Sequence, residues 1–182
     1  MATRSLVVLE DEYGAVVLYK HYDGYPEFML LFLEEFAKWY AKKVERLTGY
    51  FPHFLWQGDD VAAALIYFDY IEAIKMWKRL GRSEPPRPSP DVRPTNLQKR
   101  EALSRENCMD EDYVYHVVLQ RDLTWKVTVY EKRGGLSEKE VREIDLASFV
   151  SEETLKRYPE FLRPESPRVR AAVKKMRQDA QS

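Results

Sequence analysis

The stretch MATRSLVVLEDEYGAVVLYKHYDGYP, residues 1–26, decides the fold class. Two runs of β-branched and aliphatic residues, Ser5–Glu10 and Ala15–Lys20, flank the turn sequence Asp11-Glu12-Tyr13-Gly14 and predict a β-hairpin. The corner Tyr22-Asp23-Gly24-Tyr25-Pro26 follows, and proline is tolerated in the first turn of a helix because the N–H there has no intrahelical partner. The opening therefore predicts two strands and a corner from which a helix starts.

Two long amphipathic helices are predicted after this corner. From Pro26, apolar residues recur at near-helical spacing as far as Thr48-Gly49, where glycine can close a helix. After Gly58-Asp59-Asp60, which supplies an N-cap, the same spacing continues to Leu80-Gly81. The apolar positions are Phe28, Leu31, Phe36, Tyr40, Val44 and Leu47 in the first helix and Val61, Leu65, Phe68, Ile71, Ile74 and Trp77 in the second.

The second half of the chain returns to strand patterns. Tyr113–Gln120 and Leu123–Glu131 predict a second hairpin, since the latter alternates apolar and polar residues. Residues 137–146 allow a strand over Val141–Leu146, which is preferred, or a helix that starts at the capping box of Ser137. Strands at both ends with helices between them predict an α+β fold. Its antiparallel sheet would hold about four or five strands from two hairpins, with the two long amphipathic helices packed mainly on one face.

One α+β domain is predicted over residues 1–150, and residues 151–182 are predicted to be a C-terminal helical extension packed on the same domain. The segment 82–94 carries five of the ten prolines and predicts an exposed loop. A plain connector is preferred there over a partner-binding tail in polyproline II form. Residues 96–106 predict a short polar helix, and Ser166-Pro167 opens a last one.

Composition narrows the class of protein. The 182 residues are 45% hydrophobic and 32% charged, which is enough apolar material for a core. The formal net charge of -1 argues against a dedicated nucleic-acid binder. The single cysteine, Cys108, excludes an internal disulfide and suits a reducing cytosol. No basic-then-apolar leader and no membrane-spanning stretch is visible, so a cytoplasmic protein is expected. The low Gly and high Tyr, Arg and Glu content hints weakly at a thermophile.

The polar residues with chemical potential cluster at one predicted sheet edge. Asp23 is interpreted first as a helix cap and turn residue, and alternatively as a base or metal ligand beside His21. Arg4 is predicted either to pair with Asp23 across the hairpin end or to bind a ligand anion. The candidate ligand or structural corner consists of Thr3, Arg4, His21, Asp23, Gly24, Tyr25 and Pro26.

Known catalytic and metal motifs do not occur in the sequence. There is no GxSxG, Walker loop, GxGxxG or HExxH, and His21, His53 and His116 have no spacing typical of a metal site. No cofactor and no metal is therefore predicted.

A family resemblance rests on Met1-Ala2-Thr3-Arg4-Ser5, on the hairpin that follows, and on Tyr22-Asp23-Gly24-Tyr25-Pro26. These residues resemble a family of bacterial, archaeal and phage proteins that open with Met-Gly-Thr-Arg-Ser and reach an aromatic-Asp-Gly-Tyr-Pro motif. The strand at Tyr113-Val114-Tyr115 is similar to their later Tyr-Ile-Tyr strand. This chain departs from the pattern at Ala2 and in its continuation after Pro26. The resemblance implies no activity, because none is established for the family.

Three classes of function remain open. The leading prediction is a small cytosolic, non-enzymatic binding or regulatory module of mobile-element origin, whose partner is a protein or small ligand at the corner. The first alternative is an enzyme of unfamiliar type, a hydrolase or nuclease that uses His21 and Asp23. The second is nucleic-acid binding through basic residues, which are Lys99, Arg100, Arg105, Arg168, Arg170, Lys174, Lys175 and Arg177. Exposed apolar area on either long helix would indicate a homodimer.

Overall fold

The computed structural model describes residues 2–47, 53–83 and 91–157, together with residues 175, 178 and 179. These residues contain six strands: β1 (Ser5–Glu10), β2 (Ala15–Lys20), β3 (Val92–Pro94), β4 (Tyr113–Leu119), β5 (Thr124–Glu131) and β6 (Ser137–Asp145). They also contain the helices α1 (Pro26–Glu45), α2 (Gly58–Arg79), α3 (Lys99–Ala102) and α4 (Glu152–Arg157). Short 3-10 turns occur at His53–Leu55 and Leu146–Phe149.

The strands form one mixed sheet in the order β3-β2-β1-β4-β5-β6. Strands β1 and β4 are parallel, and every other neighbouring pair is antiparallel. The α+β class is confirmed, but the prediction of four or five antiparallel strands is wrong. The physical reason is the way the hairpins meet: they join through their first strands, β1 and β4, which run in the same direction.

Two strands at the edges of the sheet decide questions that the sequence left open. Residues 137–145 form the strand β6, which pairs along the whole of β5 with a shift in register between Val129 and Tyr130, and Leu146 begins a 3-10 turn. At the other edge, Val92–Pro94 pairs with β2, and Val92 is fully buried against it. The predicted loop over 82–94 is therefore wrong for its last three residues, while residues 84–90 lie outside the described part of the chain.

The sheet has a helix-covered face and a lightly covered face. Helices α1 and α2 pack on the first, where Phe36, Leu65 and Trp125 belong to one large core. A smaller core on the second face is formed by Leu6, Val8, Val17, Ala102 and Val114, with Ala102 supplied by α3. Both long helices thus contribute buried residues to the same core.

Helices α1 and α2 begin where the sequence predicts, but their first turns are held differently. Tyr25 occupies the N-cap of α1 and makes no side-chain capping bond, so the interpretation of Asp23 as the cap is wrong. At α2 the N-cap is Gln57, and the N–H of Gly58 donates to Asp11 Oδ2 at 2.7 Å. The β1–β2 turn therefore caps the first N–H of α2, while Asp59 Oδ1 accepts the N–H of Asp60 at 3.0 Å.

At the C-terminal end, Leu155 of α4 packs into the large core. The predicted helix at residues 166–167 and the packing of most of the extension lie outside the described residues, as does the predicted α1 terminus at residues 48–49. None of the described helices is both long enough and apolar enough to cross a bilayer.

Candidate functional site

The corner between β2 and α1 is fixed through the backbone of Gly24. Its N–H donates to the carbonyl oxygen of Thr3 at 2.9 Å, and its own carbonyl accepts the hydroxyl of Tyr115 at 2.7 Å in a buried site. A Cβ placed on Gly24 would lie 2.8 Å from Thr3 O and 2.9 Å from Ser5 Cβ, which is closer than real Cβ atoms come. Glycine is required here because of this close approach, and the corner is a rigid part of the frame.

Arg4 is committed to a different partner from the predicted one. Its guanidinium forms an ion pair with Asp110, and its backbone N–H donates to Asp112 Oδ2 at 3.3 Å. The carbonyl of Arg4 in turn accepts the N–H of Asp112 at 2.8 Å. These bonds join the start of β1 to the segment before β4, and the predicted Arg4–Asp23 pair does not form.

His21 packs among aromatic side chains. Its Nδ1 lies 2.8 Å from the hydroxyl of Tyr19, and its ring meets that of Tyr22 edge-on with centroids 4.5 Å apart. This is the hydrogen-bonded, packed arrangement that the sequence favours for a single histidine beside aromatics.

Asp23 is presented at the surface by a backbone in the left-handed region. Its φ is 53°, and its side chain is exposed. Aspartate is among the residues that adopt this conformation with least strain. Among the described residues, none forms a hydrogen bond or an ion pair with the Asp23 carboxylate.

We therefore expect Asp23→Asn to leave the thermal midpoint unchanged within about 2 °C, since asparagine tolerates the same backbone and surface changes usually stay within about 0.5 kcal/mol. Thermal unfolding followed by circular dichroism measures this. A fall of more than about 5 °C would show that the carboxylate has a structural role.

Acidic and apolar side chains continue from the corner along α1. Residues 22–37 contain four carboxylates and neither lysine nor arginine. Tyr25 is 39% exposed, and Leu31 is 63% exposed despite its place on a core helix. We call this set the acidic surface; it consists of Asp23, Tyr25, Glu27, Leu31, Glu34 and Glu35, all of them exposed.

A buried ionic cluster supports the corner from beneath. Lys20 Nζ lies 3.0 Å from Asp91 Oδ2 and 3.4 Å from Asp69 Oδ1, and it sits 5.2 Å from the ring centre of Phe32. Asp91 also accepts the N–H of Tyr22 at 3.0 Å. This cluster was not predicted from the sequence. Strand alternation does place Lys20 on the same side as the core residue Leu18, which indicates that the lysine is buried.

A second polar cluster lies between the end of β1 and the middle of β4. Glu10 binds Lys99 at 2.6 Å through Oε1 and His116 Nε2 at 2.5 Å through Oε2. Burial opposes ionisation of Glu10, but the hydrogen bonds from Lys99 and His116 outweigh it and lower the pKa of this carboxyl. The sequence analysis missed this set, since 106 residues separate Glu10 from His116.

The clefts near that second cluster are built from paired or structural groups. One, of about 220 Å³, is lined in part by Glu12 and Arg121, which pair with each other. The other, of about 390 Å³, is lined in part by Asp11, whose two oxygens accept the N–H groups of Gly14 and Gly58. Neither cleft is lined by a residue of the predicted corner.

The basic residues predicted to bind nucleic acid are engaged elsewhere or lie outside the described residues. Lys99 is taken by Glu10, Lys175 lies 3.3 Å from Glu152, and most of the C-terminal basic residues fall outside the described ranges. Across the described residues, no group of three His, Cys, Asp or Glu side chains is placed to hold a metal ion.

Comparisons of the chain with protein-family models, with curated proteins and with solved structures find no match. The family resemblance of the opening residues therefore stays a prediction.

Proposed function

We propose that the chain is a non-enzymatic protein-interaction module that binds a basic partner through the acidic surface. The observation that carries this proposal is the concentration of four carboxylates around exposed Tyr25 and Leu31, with no cation in residues 22–37. Within the described residues, none of these carboxylates forms an ion pair. Tyrosine and leucine supply apolar contact area, and complementary charge steers a partner to it.

Rigid presentation of the corner favours this function. The backbone bonds of Gly24 to Thr3 and Tyr115, and the bond from Tyr22 N–H to Asp91, hold the loop in one conformation. A preordered loop loses little conformational entropy on binding, so more of its contact energy appears as affinity.

The enzyme alternative gains no support from the corner. It requires Arg4, His21 and Asp23 to converge, but Arg4 pairs with Asp110 and His21 bonds to Tyr19. A general acid or base must reach its substrate together with the groups that orient it. Because Arg4 and His21 each bind a different partner, the geometry of the corner favours a binding surface over a catalytic one.

Site-specific photo-crosslinking tests the proposal. A benzophenone amino acid placed at Tyr25 is expected to give one discrete adduct in cells, because Tyr25 lies within the acidic surface. The same group at Val141, which is 47% exposed on β6, is the matched control and should give none. Adding Asp23→Lys and Glu27→Lys should abolish the Tyr25 adduct. No adduct at Tyr25, or equal adducts at both positions, would overturn the proposal.

A further inference from the structure

The second half of α2 is less buried than the first half. The aromatic contacts of α2 with α1 come from the first half of the helix. The ring centre of Tyr67 lies 6.1 Å from that of Trp39, and the ring centre of Phe68 lies 5.5 Å from those of Phe32 and Phe36. Asp69 is the last buried residue of the helix. Residues 70–79 therefore form roughly 15 Å of helix without a buried residue. We call residues 70–82 the α2 arm.

The α2 arm is apolar for a segment so little covered. Ile71, Ile74 and Trp77 are only half-buried, and they recur at the spacing of one helix face. Met76 is 56% exposed and Leu80 is 62% exposed. Exposed apolar area on a long helix indicates an interface, and from the sequence it was expected to mark a homodimer.

The charge of the α2 arm is opposite to that of the acidic surface. The arm holds four basic residues and one acidic residue, a net charge of +3, whereas residues 22–37 carry four acidic residues and no basic one. The basic residues are Lys75, Lys78, Arg79 and Arg82, and the acidic one is Glu72. The chain thus contains both a basic apolar surface and an acidic apolar surface.

We infer that the basic partner of the acidic surface is a second copy of this chain, whose α2 arm docks there. This inference rests on the proposed function and names its partner. In a two-fold dimer each copy offers both surfaces, so two identical contacts form at once. The formal net charge of -1 leaves no long-range repulsion between copies to oppose the contact.

Reciprocal charge reversal tests this dimer. The full chain in about 50 mM salt is expected to sediment at twice the 21.6 kDa mass of one chain, and to dissociate as salt approaches about 500 mM. Glu34→Lys with Glu35→Lys brings the net charge of residues 22–37 from -4 to 0, and Lys78→Glu with Arg79→Glu brings that of the α2 arm from +3 to -1. Each double variant should dimerise at least about 10-fold more weakly, yet an equimolar mixture should form a heterodimer. The heterodimer regains one contact between an unchanged arm and an unchanged acidic surface, which neither variant has alone.

A matched control reverses equal charge elsewhere: Glu138→Lys with Glu143→Lys, both exposed on β6, should leave the dimer intact. A wild-type chain that stays monomeric at low salt, or a variant mixture that does not associate, would overturn the inference. The crosslink at Tyr25 separates the two proposals. An adduct made only of this chain supports both, an adduct with a different protein beside a monomeric chain overturns the dimer alone, and no adduct overturns the proposed function.

Discussion

Lys132→Met is expected to lower the free energy of unfolding by about 3–5 kcal/mol, because it leaves a buried carboxylate without its cation. The side chains of Lys132 and Glu111 are both 0% exposed, and Nζ lies 2.7 Å from Oε1. Lys132 Nζ also donates to the carbonyl of Glu106 at 2.7 Å, while Glu111 Oε2 accepts the N–H of Met109 at 2.8 Å. The pair therefore holds the segment before β4 against the end of β5.

Urea unfolding of the full chain measures the loss, and a double variant provides the control. Lys132→Met combined with Glu111→Leu should recover most of the stability, since replacing both members of a buried ion pair by apolar groups is often neutral. A single-variant loss below about 1 kcal/mol would mean that water reaches Glu111 and that the pair is not sealed.

Gly24→Ala is expected to destabilise the chain by about 2–3 kcal/mol, since the new methyl group meets backbone that cannot yield without moving β1. Its nearest neighbours are Thr3 O at 2.8 Å and the carbonyl carbon of Arg4 at 2.9 Å. For a chain of this size the thermal midpoint should fall by roughly 4–12 °C.

Gly14→Ala is the matched control for that substitution. A Cβ on Gly14 meets nothing within 4 Å, and the residue does not have a positive φ. Its thermal midpoint should be unchanged or slightly raised, because alanine narrows the unfolded ensemble. Equal effects at Gly14 and Gly24 would contradict the close approach of Gly24 to Thr3.

Local elements of this fold could be predicted because their signals are local. Alternating apolar residues and a turn define β1 and β2, and Pro26 with helical spacing defines α1 from its first residue. The parallel pairing of β1 with β4 could not be predicted, since apolar alternation says which face a strand buries but not which edge it offers. The pairing of Arg4 with Asp110 could not be predicted either, because 106 residues separate them and the parallel β1–β4 pairing brings them together.

The position of the corner could be predicted from the sequence, but its hydrogen bonds and ion pairs could not. The sequence singled out the corner, and Gly24 and Asp23 do have special backbone requirements there. The cap assigned to Asp23 failed because α1 begins at Pro26 and Tyr25 takes the N-cap position. The exposure of Leu31 could not be predicted either, since this residue lies in a helical pattern that resembles a core face.

The parallel junction in the middle of the sheet also governs how the chain acquires its structure. Ser5 pairs with Tyr113, so β1 must wait for a strand made 108 residues later. At ribosomal speeds of about 5–20 residues per second, the free edge of β1 stays open for roughly 5–20 s. Each hairpin closes locally and fast, whereas joining them closes a long loop and sets the pace of folding. A nascent chain stalled before β4 is therefore expected to expose the apolar edge of β1, which is the kind of edge that pairs with other chains.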